Sequence, residues 1–157
     1  MEKHFTSTVY ILCKIKGVVK MLLHKHKKLN IWIGVGGHVE SWENPYEAAL
    51  REAKEETGVK VKILISPTKI KPTYQVTEVP LPFMIKEEKI PQYKRVASHY
   101  HIDFTYFGTM EEPNQVSMNE EFGWFSQKDI AKLLLEDDVR VVVLAGFKNY
   151  ARLLKRN

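Results

Sequence analysis

From Gly36 to Val59 the chain reads GGHVESWENPYEAALREAKEETGV, a stretch that specifies one helix together with both of its ends. Asn44 is a good N-cap, Pro45 suits the first helical position, and Glu47 stands where the acid of a capping box belongs. Gly58 can turn left-handed and stop the helix, so the segment is expected to run from Pro45 to Thr57. At roughly 100° per residue, Tyr46, Ala49, Leu50, Ala53 and Thr57 share one side, which is expected to bury against a sheet. Glu52, Glu55 and Glu56 gather on another side, because positions three and four apart are neighbours. Ala48 lies beneath them and leaves room for something bulky. Like charges on one face repel, and a cation relieves them. Carboxylate oxygens are the ligands that hard Mg²⁺ or Mn²⁺ prefers. For an arbitrary helix the plain alternative is a solvated acidic face.

The register argues against that alternative. Gly37, five residues, Glu43, seven residues, then Arg51-Glu52-Ala53-Lys54-Glu55-Glu56-Thr57-Gly58-Val59 resembles the Nudix box at every fixed position. Ala53 occupies the hydrophobic slot, and Val35 stands where relatives often carry a proline that shapes the loop. The resemblance implies an α/β fold, the Nudix-type α/β/α sandwich with a mixed β-sheet. It implies hydrolysis of a diphosphate linkage in a nucleoside diphosphate joined to a further group. Glu52, Glu55 and Glu56 are then the ligands of Mg²⁺ or Mn²⁺, with the backbone carbonyl of Gly36 beside them. Glu52 has an alternative role, orienting or deprotonating water. Arg51 is expected to pair with Glu43 so that loop and helix keep one geometry, with Gly37 and Gly58 as structural members of the box. In such proteins a general base often comes from a later loop or strand, and Glu120 and Glu121 are the candidates by order along the chain.

A length of 157 residues with 44% hydrophobic content suits one core, so residues 1–157 are expected to form a single domain. No apolar run is long enough to span a membrane, and Met1-Glu2-Lys3-His4 leads into polar residues rather than a signal-peptide core. The single cysteine, Cys13, excludes an intrachain disulfide framework and fits a reducing cytoplasm; in its apolar strand it reads as a buried, inert thiol. A formal charge of +5 favours polyanionic ligands. The densest basic run, His24-Lys25-His26-Lys27-Lys28, reads either as a phosphate contact or as a solvated turn. The expected partner is a small nucleotide; nucleic acid is not favoured, a membrane is not expected, and a homodimer stays open.

Along the chain, Thr6–Ile15 and Val18–His24 read as paired strands around Lys16-Gly17, and Ile31–Ile33 as a short strand. It delivers the chain to Gly34-Val35-Gly36-Gly37, a loop where backbone can approach a ligand. Val59–Ile65 reads as a strand, followed by a connection, Ser66–Ala97, broken by five prolines, with a hairpin expected in Tyr74–Ile85. Tyr74 and Tyr93 in this insert are candidates for contacting a base. Ser98–Phe107 alternates as a strand that projects His99, His101 and Asp103 to one face. A second metal site there competes with substrate lining or buried hydrogen bonding, and the latter is favoured because no fourth ligand is specified. Trp124-Phe125 marks a last strand, Ser126 with Asp129 a helix through about Leu135, and Asp137–Lys155 a terminal helix.

The leading expectation is a metal-dependent pyrophosphohydrolase acting on a nucleoside triphosphate, ADP-ribose or a dinucleoside polyphosphate. A non-catalytic nucleotide-binding or regulatory module would commonly lose box carboxylates, and this chain keeps them all. An RNA 5′-end pyrophosphohydrolase is favoured by basicity alone. An isoprenoid diphosphate isomerase on the same fold would need a cysteine far from the position of Cys13.

Overall fold

The strands form where β-branched and aromatic residues alternate, and their order along the chain is β1 (Lys3–Ile15), β2 (Val18–His26), β3 (Ile31–Ile33) and β4 (Val35–His38), then α1 (Pro45–Thr57). There follow β5 (Lys62–Ile63), β6 (Met84–Ile90), β7 (His99–Thr109), β8 (Phe122–Ser126), α2 (Gln127–Ile130) and α3 (Asp137–Leu154). The computed structural model describes residues 1–26, 30–65, 73–116 and 121–155.

All described strands join one mixed sheet around β1. One edge of β1 pairs in parallel with β7, His4 opposite His101 and Thr8 opposite Thr105. Its other edge is shared: Thr6–Val9 pairs with β4, and Ile11–Ile15 pairs with β2, which carries β3 and β8. β7 takes β5 and β6 on its far side.

Alternation along β1 builds two cores. Val9, Ile11 and Cys13 meet Ala49 and Ala53 of α1 on one face. Tyr10 and Leu12 meet Val139, Val142 and Tyr150 of α3 on the other. This is a mixed sheet with a helix on each face, as the sequence implied. Cys13 is 3% exposed, its thiol points at the Met110 carbonyl 3.5 Å away, and burial pushes its pKa up, which suits an inert packing role.

Four expectations need correction. Gly34–Gly37 is not an open loop: Val35–His38 is a strand, because β1 presents an unpaired edge at Thr6–Val9 and the glycines let backbone pack against it. The strand expected at Val59–Ile65 is regular only over Lys62–Ile63, paired with the end of β7. In the insert the strand is Met84–Ile90 rather than Tyr74–Ile85, where Thr73 and Val76 form only a bridge. The helix after Ser126 ends at Ile130, not Leu135, and Arg140 of α3 donates to the Leu133 carbonyl at 2.9 Å, which satisfies a backbone group of the turn that follows. Part of the insert, 66–72, lies outside the described residues, as do Lys27 and Lys28.

Candidate active site

α1 is held at both ends as its sequence requires. Asn44 Oδ1 accepts from the backbone N–H groups of Tyr46 and Glu47 at 3.0 and 3.1 Å, and Glu47 accepts from the Asn44 N–H at 2.9 Å. Gly58 closes the helix at φ 74°. Burial of Ala49 and Ala53 against the sheet then fixes which way the acidic side points.

Arg51 locks that side to the preceding loop. Its Nε and Nη2 donate to the two oxygens of Glu43 at 3.1 and 2.6 Å, a bidentate pair. Nη2 also donates to the carbonyl of His38 at 3.0 Å, and Nη1 to Glu52 at 2.7 Å and Glu55 at 3.3 Å. The Arg51 hydrogen bond holds the Glu43 carboxyl below its ordinary range. Glu43 therefore stays ionised, and the side chain of Arg51 is drawn toward three acids at once. At Gly37 a β-carbon would crowd the Glu52 carboxylate and push it aside, so glycine here leaves that carboxylate its present position.

Glu56 is the anomaly. Its Oε2 is buried and has no hydrogen-bond partner among the described residues; His24 Nδ1, at 3.7 Å, is too far to supply one. Burial raises its pKa to about 7, the neighbouring charges of Glu52 and Glu55 add to that, and the Gly36 N–H opposes it. A buried carboxylate oxygen left without a hydrogen bond in this way is one that a cation would satisfy.

Glu56 opens on a cleft of about 370 Å³ lined by His24, His26, Ile33, Gly36, Glu56, Glu121 and Phe122. Gly36 and Glu56 are thus together, and Glu121 joins them from the start of β8, where Lys25 N–H donates to its carbonyl at 2.7 Å. Glu120 lies outside the described residues. His24 stacks on Phe122 with ring centroids 5.0 Å apart, giving the cleft a flat aromatic wall. Phe122 was not legible as a site residue, since nothing in its neighbourhood distinguishes it from core; its place follows from β8 pairing beside β2. The basic run, by contrast, contributes His24 and His26 to the cleft.

The other candidates fall elsewhere. Tyr74 is fully exposed and Tyr93 half-exposed, and neither lines this cleft. Asp103 is 2% exposed and its carboxylate accepts from the hydroxyls of Thr6, Thr8 and Thr105 at 3.0, 2.7 and 2.7 Å, which is buried hydrogen bonding rather than an open ligand. His99 and His101 join a separate cluster with His4.

A family model described as "NUDIX domain" matches residues 4–145. Among solved structures, a NUDIX-family hydrolase from Clostridium perfringens is 28% identical, with 90% of this chain and 94% of that one covered and a TM-score of 0.70. The Ap4A hydrolase of C. elegans shares the fold at 18% identity and TM-score 0.62, covering 96% and 99% of the two chains. Shewanella oneidensis NrtR, solved with a 27mer DNA, shares it at 14% identity and TM-score 0.61, covering 94% of this chain and 62% of that one. With the box geometry assembled as its register requires and the family model spanning most of its length, the chain belongs to the NUDIX domain family and is a Nudix hydrolase.

Proposed function

We propose that this Nudix hydrolase cleaves a phosphoric anhydride in a nucleoside diphosphate linked to a further group, with Mg²⁺ or Mn²⁺ as its cofactor. The observation that carries the reading is the buried, unpartnered Oε2 of Glu56 facing the cleft among like charges. Glu52, Glu55, Glu56 and the Gly36 carbonyl offer the all-oxygen donor set that a hard divalent cation takes. When bound, such an ion screens the phosphate chain and lowers the pKa of water.

The remaining roles belong to the protein. Arg51 and Glu43 keep the acidic face and strand β4 in one relative position, so that catalysis rests on pre-set geometry. Glu121 stands at the cleft as the candidate base, within a site whose other acid, Glu56, is already committed. Phe122 with His24 offers a stacking surface to a nucleobase, and the net charge of +5 draws a polyanion in. Among substrates, dinucleoside polyphosphates such as that of the C. elegans relative, ADP-ribose and nucleoside triphosphates fit this description. A single domain over 1–157 and a cytoplasmic setting complete the reading; among the described residues no helix is long and apolar enough to cross a membrane. A regulatory module without turnover is disfavoured by the retention of all the box carboxylates.

A phosphate-release panel over these substrates, with and without Mg²⁺, tests it. Turnover is expected on at least one and is expected to stop with EDTA. Full turnover in rigorously metal-free buffer would overturn the mechanism.

A further inference from the structure

We propose that His4, His99 and His101 form a second metal site, selective for a borderline-soft transition ion of the Zn²⁺ class. The ligating nitrogens of the three rings all lie within 4.8 Å of one another. The parallel register of β1 and β7 sets His4 directly beside His101, and the pleat brings His99 to the same face. These residues are on the side of the sheet opposite to the box carboxylates, since Val9 and Ile11, of the other parity in β1, face α1.

The hydrogen bonds define which nitrogens are available. His99 Nδ1 lies 2.9 Å from the carbonyl oxygen of Ala97, and a carbonyl can only accept, so Nδ1 carries the proton. In the neutral ring Nε2 then presents a lone pair, and it points at His101 Nε2 3.1 Å away. This is the carbonyl–histidine pairing that orients metal-ligating imidazoles. Two nitrogens on one tetrahedral Zn²⁺ at ordinary bond lengths are about 3.3 Å apart, close to what the apo pair already shows. His4, whose side chain is 32% exposed, has room to swing its Nε2 inward from its 3.4 Å contact with Glu2. Binding would move the proton of His101 Nε2 to Nδ1, leaving three neutral donors and an open fourth position.

The chemistry favours a cation over an anion. His38 packs its ring 5.1 Å from His101, so the neighbours of the cluster are further imidazoles. Neutral imidazole nitrogen is the form that ligates metal and does not attract phosphate. Of the acids on this face, Asp103 is taken up by three threonine hydroxyls and Glu88 by Lys86, while Glu2 stands exposed beside His4; the clustered donors are nitrogen, which disfavours hard Mg²⁺.

The test is titration of metal-stripped, full-length protein with ZnCl₂ in excess Mg²⁺, read by calorimetry and by bound metal after dialysis. One equivalent of Zn²⁺ with a dissociation constant of about micromolar or tighter is expected. His4→Gln and His101→Gln should each weaken it by about tenfold or more, while Glu56→Gln leaves it unchanged. Co²⁺ in place of Zn²⁺ should give the visible absorption of a tetrahedral site, lost in His4→Gln. No bound Zn²⁺ in the wild type, binding that survives both histidine substitutions, or binding lost with Glu56→Gln would each overturn the proposal. The Glu56→Gln arm also separates this site from the hydrolytic one, which fails or stands on turnover alone.

Discussion

The acidic cluster and the histidine cluster lie on opposite faces of the sheet and are built in opposite ways. Glu52, Glu55 and Glu56 stand within one turn and a half of a single capped helix, and Gly36 and Glu121 join Glu56 at the cleft from other elements. His4, His99 and His101 come from two strands nearly a hundred residues apart, and their meeting depends on a register. One offers oxygen and negative charge, the other neutral nitrogen. On the two proposals together, hard donors stand on a helix and softer ones on two paired interior strands, on opposite faces of the sheet.

The largest effect that would break this comparison is at Glu56. Glu56→Gln keeps shape but removes the charge, and kcat with Mg²⁺ is expected to fall by at least ~100-fold, equivalent to about 2.7 kcal/mol of barrier. Near-normal turnover on a confirmed substrate would mean the acidic face is not the working site.

Arg51→Gln should act on the scaffold. It strands Glu43 and releases the His38 carbonyl, so stability is expected to drop by about 2 kcal/mol along with activity, seen as a lower melting temperature without metal. An unchanged melting temperature would reassign Arg51 to substrate.

The pH dependence of the metal-free protein sharpens the contrast. Glu56 has a folded pKa of about 7, above its unfolded value, so the folded state binds the extra proton and stability is lost as pH rises from about 4.5 to 7. The depressed pKa of His101 acts the other way, its contribution being lost as pH falls below about 6.5. Comparison with Glu56→Gln cancels the histidine part. From pH 6 to 8 the wild type should lose about 1 kcal/mol relative to that variant, and Mg²⁺ should restore it. A pH-independent difference in chemical denaturation would contradict the environment assigned to Glu56, with its neighbours Glu52, Glu55 and His24.

The smallest effect concerns Tyr74 and Tyr93. As specificity residues their replacement by alanine would shift preference among nucleotides by about threefold or more. Their absence from the cleft lining predicts instead that kcat/KM ratios hold constant, which would move base recognition to Phe122 and His24.

The helix and its lock were legible because their signals are local: Asn44, Pro45, Glu47 and Gly58 act over one turn, and Arg51 reaches Glu43 eight residues away. His99 and His101 were legible as a pair through strand alternation. His4 was not, because parallel pairing leaves no mark in the sequence near either strand. The same holds for β4, whose glycines suit a ligand loop as well as an edge strand, and for Phe122, which is placed by β8 joining β2. For Asp103 the sequence favours substrate lining or buried hydrogen bonding over a metal ligand, and the same parallel register brings Thr6 and Thr8 to it as partners that no local pattern announces.

That register also orders events in time. The pairs from Lys3 with Tyr100 to Ile11 with Gly108 require a loop of nearly a hundred residues to close before any of them contributes. The capped α1 hairpinned onto β4 can form early during synthesis, whereas β1 keeps an open edge until β7 has left the ribosome. During that interval Val9 to Cys13, a run of five apolar residues, is a sticky, unsatisfied strand. Slow, β7-limited folding and a need for chaperone protection are therefore the consequences of building the sheet around its first strand.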